Sequence, residues 1–434
     1  MKRIVLLFTV VCLLAVIYPL SVCADSSVTV SDAAGFTNAL ETLEDGGTIH
    51  VSGTVALAAD FQWDDHNKSL TITGGTLDFS KLNDVILGDS VQFDSIKLIF
   101  TEGSSLFANG HPLYIGKSVT VTGEPTVYGG GKFKAVDSTD LTLLSGTYTD
   151  IFGGSKIGSV RGDVLLNVGG HVNADLNSIS HKHTYCVYGG CDNGKVTGKV
   201  TLNFGGAARA NYIYGGCLGV NSRIEGGIEV AFSGGKAVSI CGGSRNAFHE
   251  CDVNVTMTGG SVEQVFGGSE HATHAGNVSV NILGGTITRR VYGGCYNEVT
   301  ASGEWESKNY VVGDIYLTIG SGARINFTTG SADRAIYAHS RQATLSNKEN
   351  SYIRFTDEDA YNKYYSKLGA QDSMMQSIMS GVSAADVILE LSEEKDPAPT
   401  PQPFPWYPLL ALPVILIGLI LFLIIKRNIK KRHP

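Results

Sequence analysis

The chain has 434 residues, of which 43% are hydrophobic and 17% are charged, with 53 glycines and only 11 prolines. This composition argues against a disordered chain and leaves ample apolar side chains for a core. Residues 25–425 contain 26 basic and 41 acidic residues, a net charge of −15, because two of the 33 basic residues lie before this range and five after it. Such acidity argues against nucleic acid as a partner, and it disfavours anionic polysaccharides unless a cation such as Ca²⁺ bridges the two.

The first 24 residues have the pattern of a secretory signal peptide. Lys2 and Arg3 precede the apolar run 4–17, and Ala24 is the small residue at the cleavage site. A lipoprotein signal acylated at Cys23 is the alternative, but it requires a small residue before the cysteine. We therefore predict export of the chain from residue 25 onward.

A short amphipathic helix is predicted near the new N-terminus. Ser31 or Asp32 can cap it, and Phe36, Leu40 and Leu43 fall on one face. A helix at the start of a stack of strands covers an edge that would otherwise expose core and unpaired backbone groups. We expect it to cap the first coil of the domain.

One phrase, an apolar residue and an aromatic followed by Gly-Gly, returns about every 25 residues. A second phrase, an alternating apolar strand ending in Gly-Gly, lies between the copies. Period-2 alternation at a fixed repeat length predicts strands stacked into a parallel β-solenoid. The copies of the first phrase begin at Val127, Ile151, Val187, Ile213, Ile240 (with Cys in place of the aromatic), Val265 and Val291, with a Gly-less copy at Ile336.

Two roles follow for the repeated residues. Glycine at a corner is expected to supply a positive φ without a Cβ penalty. The aromatic residues are expected to stack coil upon coil inside the narrow interior and so fix the register.

These residues support a resemblance. The predicted helix followed by Gly46-Gly47-Thr48-Ile49 resembles the opening of pectin-lyase-like right-handed β-helices. The Tyr-Gly-Gly-Cys and Phe-Gly-Gly-Ser coils resemble the Gly-rich repeats of adhesin-like surface proteins from anaerobic bacteria and methanogenic archaea. The resemblance implies an all-β fold, a right-handed parallel β-helix over residues 25–345, far more specifically than it implies an activity.

The C-terminal part predicts attachment to a membrane. Residues 346–396 read as a partly helical cap or juxtamembrane segment, and residues 397–408 as a Pro-rich linker. Residues 409–425 form an uncharged apolar run that predicts a C-terminal transmembrane helix, followed by the basic cytoplasmic tail 426–434. The expected location is a cell membrane, with a single span and the N-terminal ectodomain outside.

Candidate catalytic residues are sparse. Polysaccharide lyases of the resembled fold use acidic residues around Ca²⁺ with a base, and glycoside hydrolases use paired carboxylates. Asp64, Asp65 and His66 are the nearest acidic pair plus base, but a solvated turn is the simpler interpretation.

Histidines and cysteines suggest two further sites. Glu270, His271 and His274 have a spacing that can hold a metal, with His249 in a comparable loop, although solvated loop histidines are the simpler interpretation. Cys191 and Cys217 occupy equivalent repeat positions filled by serine in other coils. They can form a disulfide between neighbouring coils or remain small buried thiols.

The sequence therefore predicts a membrane-anchored, adhesin-like surface protein. Its partner is expected to be a cell-surface glycan or protein ligand, bound without catalysis and without a resident cofactor. A polysaccharide lyase or glycoside hydrolase on the same β-helix scaffold is the alternative. The outward strand positions Thr201, Asn203, Asn254, Thr256, Ser279 and Asn281 are expected to carry the binding.

Overall fold

The computed structural model describes residues 26–173, 185–296, 309–326, 336–338, 351–364 and 387–389. Two helices and 31 strands lie in these ranges. Strands of successive coils pair in parallel; Val200–Phe204, for example, lies between Val164–Val168 and Ile228–Phe232. The predicted all-β parallel solenoid is therefore confirmed.

The strands form four sheets that run along the solenoid. The first sheet has 14 strands: Ser27–Val30, Thr48–Val51, Ser69–Thr73, Ser90–Asp94, Leu113–Ile115, Thr139–Leu143, Val164–Val168, Val200–Phe204, Ile228–Phe232, Val253–Met257, Val278–Ile282, Ile315–Ile319, Ser351–Phe355 and Val387–Leu389. The second has four: Thr54–Ala56, Thr76–Asp78, Lys97–Ile99 and Thr120–Thr122.

The third sheet has 11 strands and contains the repeated aromatic phrase. They are Asp84–Ile86, Ser105–Phe107, Thr126–Tyr128, Asp150–Phe152, Cys186–Tyr188, Arg209–Tyr214, Lys236–Cys241, Ser261–Phe266, Thr286–Tyr292, Arg324–Ile325 and Ile336–Tyr337. A fourth sheet of two strands, Lys195–Val196 and Arg223–Ile224, lies at a corner. The Gly-less copy of the repeat does join the array, since Ile336 pairs with Val291 and Tyr337 with Tyr292.

Alternation along the strands of the first sheet separates core from surface. In Val200–Phe204 the first, third and fifth side chains are buried, whereas Thr201 and Asn203 are partly exposed. The buried positions of successive coils stack in register, as in the rings of Phe204 and Phe232, whose centroids lie 5.4 Å apart. Each coil therefore completes its core only by packing on its neighbours.

The aromatic residues of the repeat up to Tyr214 stack as predicted, but on the other side of the third sheet; the rings of Phe266, Tyr292 and Tyr337 pack edge to face. Rings from Phe107 through Tyr214 have centroids 4.7 to 4.9 Å apart and lie within 9° of parallel. They belong to a second apolar cluster, separate from the main core that contains the preceding residue of each copy, such as Ile213. Because successive side chains of a strand point to opposite faces, the ladder cannot share the interior with Ile213.

Glycine has two distinct roles. The strand-ending glycines Gly206 and Gly235 adopt the expected positive φ, at 66° and 80°. The glycine after each aromatic does not. A Cβ on Gly215 would lie 2.2 Å from the carbonyl oxygen of Gly242 in the next coil, so these glycines are required because backbones approach closely there.

The ends of the described chain agree with the predictions in part. The helix Ala33–Thr42 is capped by Asp32, whose Oδ1 accepts from Gly35 N at 2.8 Å, and it buries Phe36, Ala39 and Leu40. Past residue 345, where a partly helical segment was predicted, strand Ser351–Phe355 continues the first sheet, and the short helix Glu358–Tyr364 and strand Val387–Leu389 follow. No helix in the described ranges is long and apolar enough to cross a membrane; residues 409–425 lie outside them, as does the signal peptide.

Candidate binding face

The outer side of the first sheet carries two rows of partly exposed, mostly polar side chains. Parallel pairing aligns them coil by coil, at about 4.8 Å per coil. The first row contains Asp140, Leu165, Thr201, Glu229, Asn254, Ser279, Tyr316 and Tyr352. The second contains Thr142, Asn167, Asn203, Ala231, Thr256, Asn281, Thr318 and Arg354. These two rows are called the binding face below.

Amide side chains of the binding face are held by one another. Asn203 Nδ2 donates to Asn167 Oδ1 at 2.8 Å, and Asn167 Nδ2 donates to Thr142 Oγ1 at 3.0 Å. Asn281 Nδ2 likewise donates to Asn254 Oδ1 at 2.9 Å. Each amide in such a chain keeps further donor or acceptor capacity, so the row presents orientated polar groups to a ligand.

A groove of about 500 Å³ lies at the C-terminal end of this face. Tyr316 and Arg354 line it, and the Arg354 guanidinium lies 4.4 Å from the ring centre of Tyr316, which also stacks on Tyr352 of the next coil at 5.2 Å. Lys199 and Glu229 also line the groove and form an ion pair of 2.7 Å. Stacked aromatic and guanidinium planes beside amide and hydroxyl groups can bind a polar ligand through both its faces and its edges.

A second groove, of about 330 Å³, lies near the N-terminal end of the same face. Gln92, Tyr114 and Asp140 line it, and Tyr114 is 37% exposed. The two grooves therefore lie along the same outer side of the first sheet.

Asp64, Asp65 and His66 lie in a loop that is organised by a residue the sequence did not single out. Asp89 is fully buried and accepts hydrogen bonds from Trp63 Nε1, His66 Nδ1 and the backbone of His66 and Lys68, at 3.0 to 3.2 Å. Burial would raise the pKa of Asp89, but these hydrogen bonds together lower it. Asp64 and Asp65 remain exposed, so the loop places no carboxylate pair in a recess.

The histidines of the candidate metal site are separated by burial. His271 is partly exposed near Glu270, whereas His274 is fully buried and pairs with His249 of the preceding coil through a parallel β-bridge. Solvated loop histidines were therefore the wrong interpretation for His249 and His274. The described ranges contain no group of three His, Cys, Asp or Glu residues placed to hold a metal ion.

All six cysteines of residues 25–425 are buried free thiols. Cys191 N donates to Cys217 Sγ at 3.2 Å, which places the two residues in neighbouring coils as predicted. The thiol of Cys217 is fully buried, and burial raises its pKa well above the ordinary value. The neutral thiols therefore act as small, polarisable core groups in this structure.

An ionisable cluster lies beside the aromatic ladder, outside the third sheet. Burial raises the pKa of Asp150 to about 7, although its Oδ1 accepts from Cys186 N, and nearby Asp192 adds to the shift. Asp192 accepts from Tyr128 at 3.4 Å, and Lys156 lies over the Tyr128 ring. Aligning the residue two places before each aromatic would have brought Asp150 to attention from sequence.

Comparisons with known proteins give no relative: the chain matches no family model, no curated protein and no solved structure.

Proposed function

We propose that this chain is a cell-surface, adhesin-like binding protein whose ligand lies on the binding face. The observation that carries the proposal is the pair of in-register rows of mostly polar side chains on the outer side of the first sheet, along which two grooves lie. Rows with a constant spacing suit a ligand that itself repeats, such as a linear glycan or the edge of another protein. The resemblance to adhesin-like β-helical surface proteins supports the same assignment.

Charge favours a neutral ligand. The C-terminal groove contains two cations, Lys199 and Arg354, and two anions, Glu229 and Asp252, so its formal charges cancel. Residues 25–425 as a whole carry a net negative charge, and this charge repels anionic polymers at long distance. A neutral polysaccharide with many hydroxyl groups matches both properties, and we expect weak contacts per unit that add up with ligand length.

The stacked side chains of the C-terminal groove are expected to contribute strongly to that binding. Replacing Tyr316 and Arg354 together by alanine should weaken binding about 10-fold, the effect of losing about 1.4 kcal/mol. The ligand is first identified on an array of neutral linear glycans, and affinity is then measured by calorimetry. A variant with alanine at the exposed residues Tyr310 and Arg161, away from this face, is the matched control. Equal affinities of the two variants would remove the binding face from the proposal.

Membrane anchorage belongs to the same proposal. Expression of a chain truncated after Asp396, without residues 397–434, should release the protein into the medium. The full chain should fractionate with membranes, because residues 409–425 are apolar and are followed by basic residues. Fractionation and immunoblotting measure the outcome; a truncated chain that stays on the membrane would place the anchor elsewhere, for example at Cys23.

A glycoside hydrolase or lyase on the same scaffold is the second candidate, and Asp150 favours it. A carboxyl group with a pKa of about 7 beside a second carboxylate is the kind of pair that acid–base catalysis uses. We nevertheless expect no turnover of pectin, polygalacturonate or alginate, with or without Ca²⁺, because neither Asp150 nor Asp192 lines either of the two grooves described above. Release of reducing or unsaturated ends, lost in Asp150→Asn or in Asp65→Ala, would establish the enzyme.

A further inference from the structure

One corner of the solenoid contains an inner row in which two histidines interrupt aliphatic side chains. Parallel bridges link its successive members except Ile224 and His249, which are joined by a hydrogen bond, and every member is buried. The row consists of Val136, Val160, Val196, Ile224, His249, His274 and Val311. Imidazole therefore occupies positions at which neighbouring coils use valine or isoleucine.

The hydrogen bonds of His249 determine its protonation. Its Nδ1 accepts the backbone N–H of Ile224 at 3.0 Å, so Nδ1 carries no proton. In the neutral ring Nε2 then carries the proton and donates to Ser244 Oγ. A proton added at Nδ1 would point at the N–H of Ile224 and break this link between two coils.

His274 continues the row without comparable bonds. Among the described residues neither of its ring nitrogens has a hydrogen-bond partner, and its side chain is fully buried. Burial lowers the pKa of His274 to about 4 and that of His249 to about 3. The backbone of Cys251 partly opposes the shift at His274 without reaching hydrogen-bonding geometry.

Charged groups around the row do not reverse the lowering of the two histidine pKa values by burial. Arg223, on the preceding coil, disfavours protonation of His249 and is itself paired with Glu225 and Glu250. On the coil of His249, Asp252 favours protonation of His274 only as a lesser influence than burial. The nearby thiols of Cys251 and Cys295 stay neutral in acid because burial raises their pKa values.

We propose that the contact between Ile224, His249 and His274 is an acid-sensitive joint of the solenoid, at which protonation of the two imidazoles separates neighbouring coils. Both groups have folded pKa values below the ordinary value of about 6.5. Their contribution to stability is therefore complete above pH about 6.5 and is lost as pH falls from there toward the folded pKa values. The coils involved also carry strands Val253–Met257 and Val278–Ile282 of the binding face, so opening the joint loosens that face from within.

Amide hydrogen exchange of the full-length protein tests the joint. Between pH 6.5 and 4.5, protection of the Ile224 amide, corrected for intrinsic exchange, should fall at least about 10-fold. In the double variant His249→Asn, His274→Val the fall should disappear. Asparagine keeps an uncharged acceptor for the Ile224 N–H, and valine is the residue found at Val311 in the same row.

Two further variants keep the result decisive. In His274→Val alone, protection of the Ile224 amide should still fall on acidification, but by less than in the wild type, because His249 still titrates there. His171→Asn, at an exposed histidine, should behave as the wild type. Unchanged protection of the wild type on acidification, or an equal loss in the double variant and the wild type, would overturn the proposal.

Discussion

Alanine at Gly215 is expected to destabilise the solenoid by at least about 3 kcal/mol. Its Cβ would lie 2.2 Å from Gly242 O and 2.6 Å from methyl groups of Ile228 and Val230. The Gly242 carbonyl belongs to the backbone of a paired coil and cannot move aside without separating the coils. The overlap with the new Cβ therefore cannot be relieved. Urea denaturation followed by circular dichroism measures the loss.

Gly169 supplies the matched control. It does not adopt a positive φ, and a Cβ there would meet only the end of the Leu144 side chain, at 3.4 Å. Gly169→Ala should change the stability by no more than about 1 kcal/mol. If Gly215→Ala lowers the stability no more than Gly169→Ala does, the close approach of the coil backbones is not the reason for glycine after each aromatic residue.

Removal of the buried carboxylate of Asp89 is the second large effect that we expect. Asp89→Ala leaves the donors of Trp63, His66 and Lys68 without their acceptor. We expect the free energy of unfolding to fall by about 3 kcal/mol. Asp64 lies in the loop of Trp63 and His66 but is exposed, so Asp64→Ala should change the free energy of unfolding by no more than about 0.5 kcal/mol. Thermal unfolding of the two variants beside the wild type compares them directly.

The contribution of Asp89 also depends on pH. Its folded pKa is lowered, so the stabilisation is present above the unfolded value of about 3.9 and is lost as pH falls through the folded pKa. The stability difference between wild type and Asp89→Ala should therefore shrink at pH 2 to 3. A difference that is constant from pH 7 to pH 2 would mean that the ionised carboxylate is not what organises the loop.

Much of the architecture could be predicted because it depends on alternation and repeat length. Thr201, Asn203 and Asn281 lie on the outer side of the first sheet as predicted, since their strands have buried residues at every second position. Asp32 caps the first helix for a reason that is local in sequence. Tyr316 and Arg354 occupy the same outward positions of later strands, and alignment of Ile315–Ile319 and Ser351–Phe355 with the array would have found them.

The errors concern contacts between coils, which no local pattern specifies. Which side of the third sheet the Tyr214 ring occupies depends on the path of the next corner, and the sequence does not encode that path locally. His274 looks like a polar loop residue until the bridges to His249 and Val311 place it in a buried row. Asp89 was missed because its partners lie more than 20 residues away along the chain.

The backbone contact at Gly215 recurs from coil to coil: a Cβ on Gly189 would likewise lie 2.2 Å from Gly215 O, and one on Gly242 would lie 2.3 Å from Gly267 O. These coils thus repeat the same backbone contact from one to the next. A duplication or deletion of one whole coil would keep that contact and would change the length of the solenoid by about 4.8 Å. Unequal recombination between repeats can therefore lengthen or shorten this protein in discrete steps of one coil.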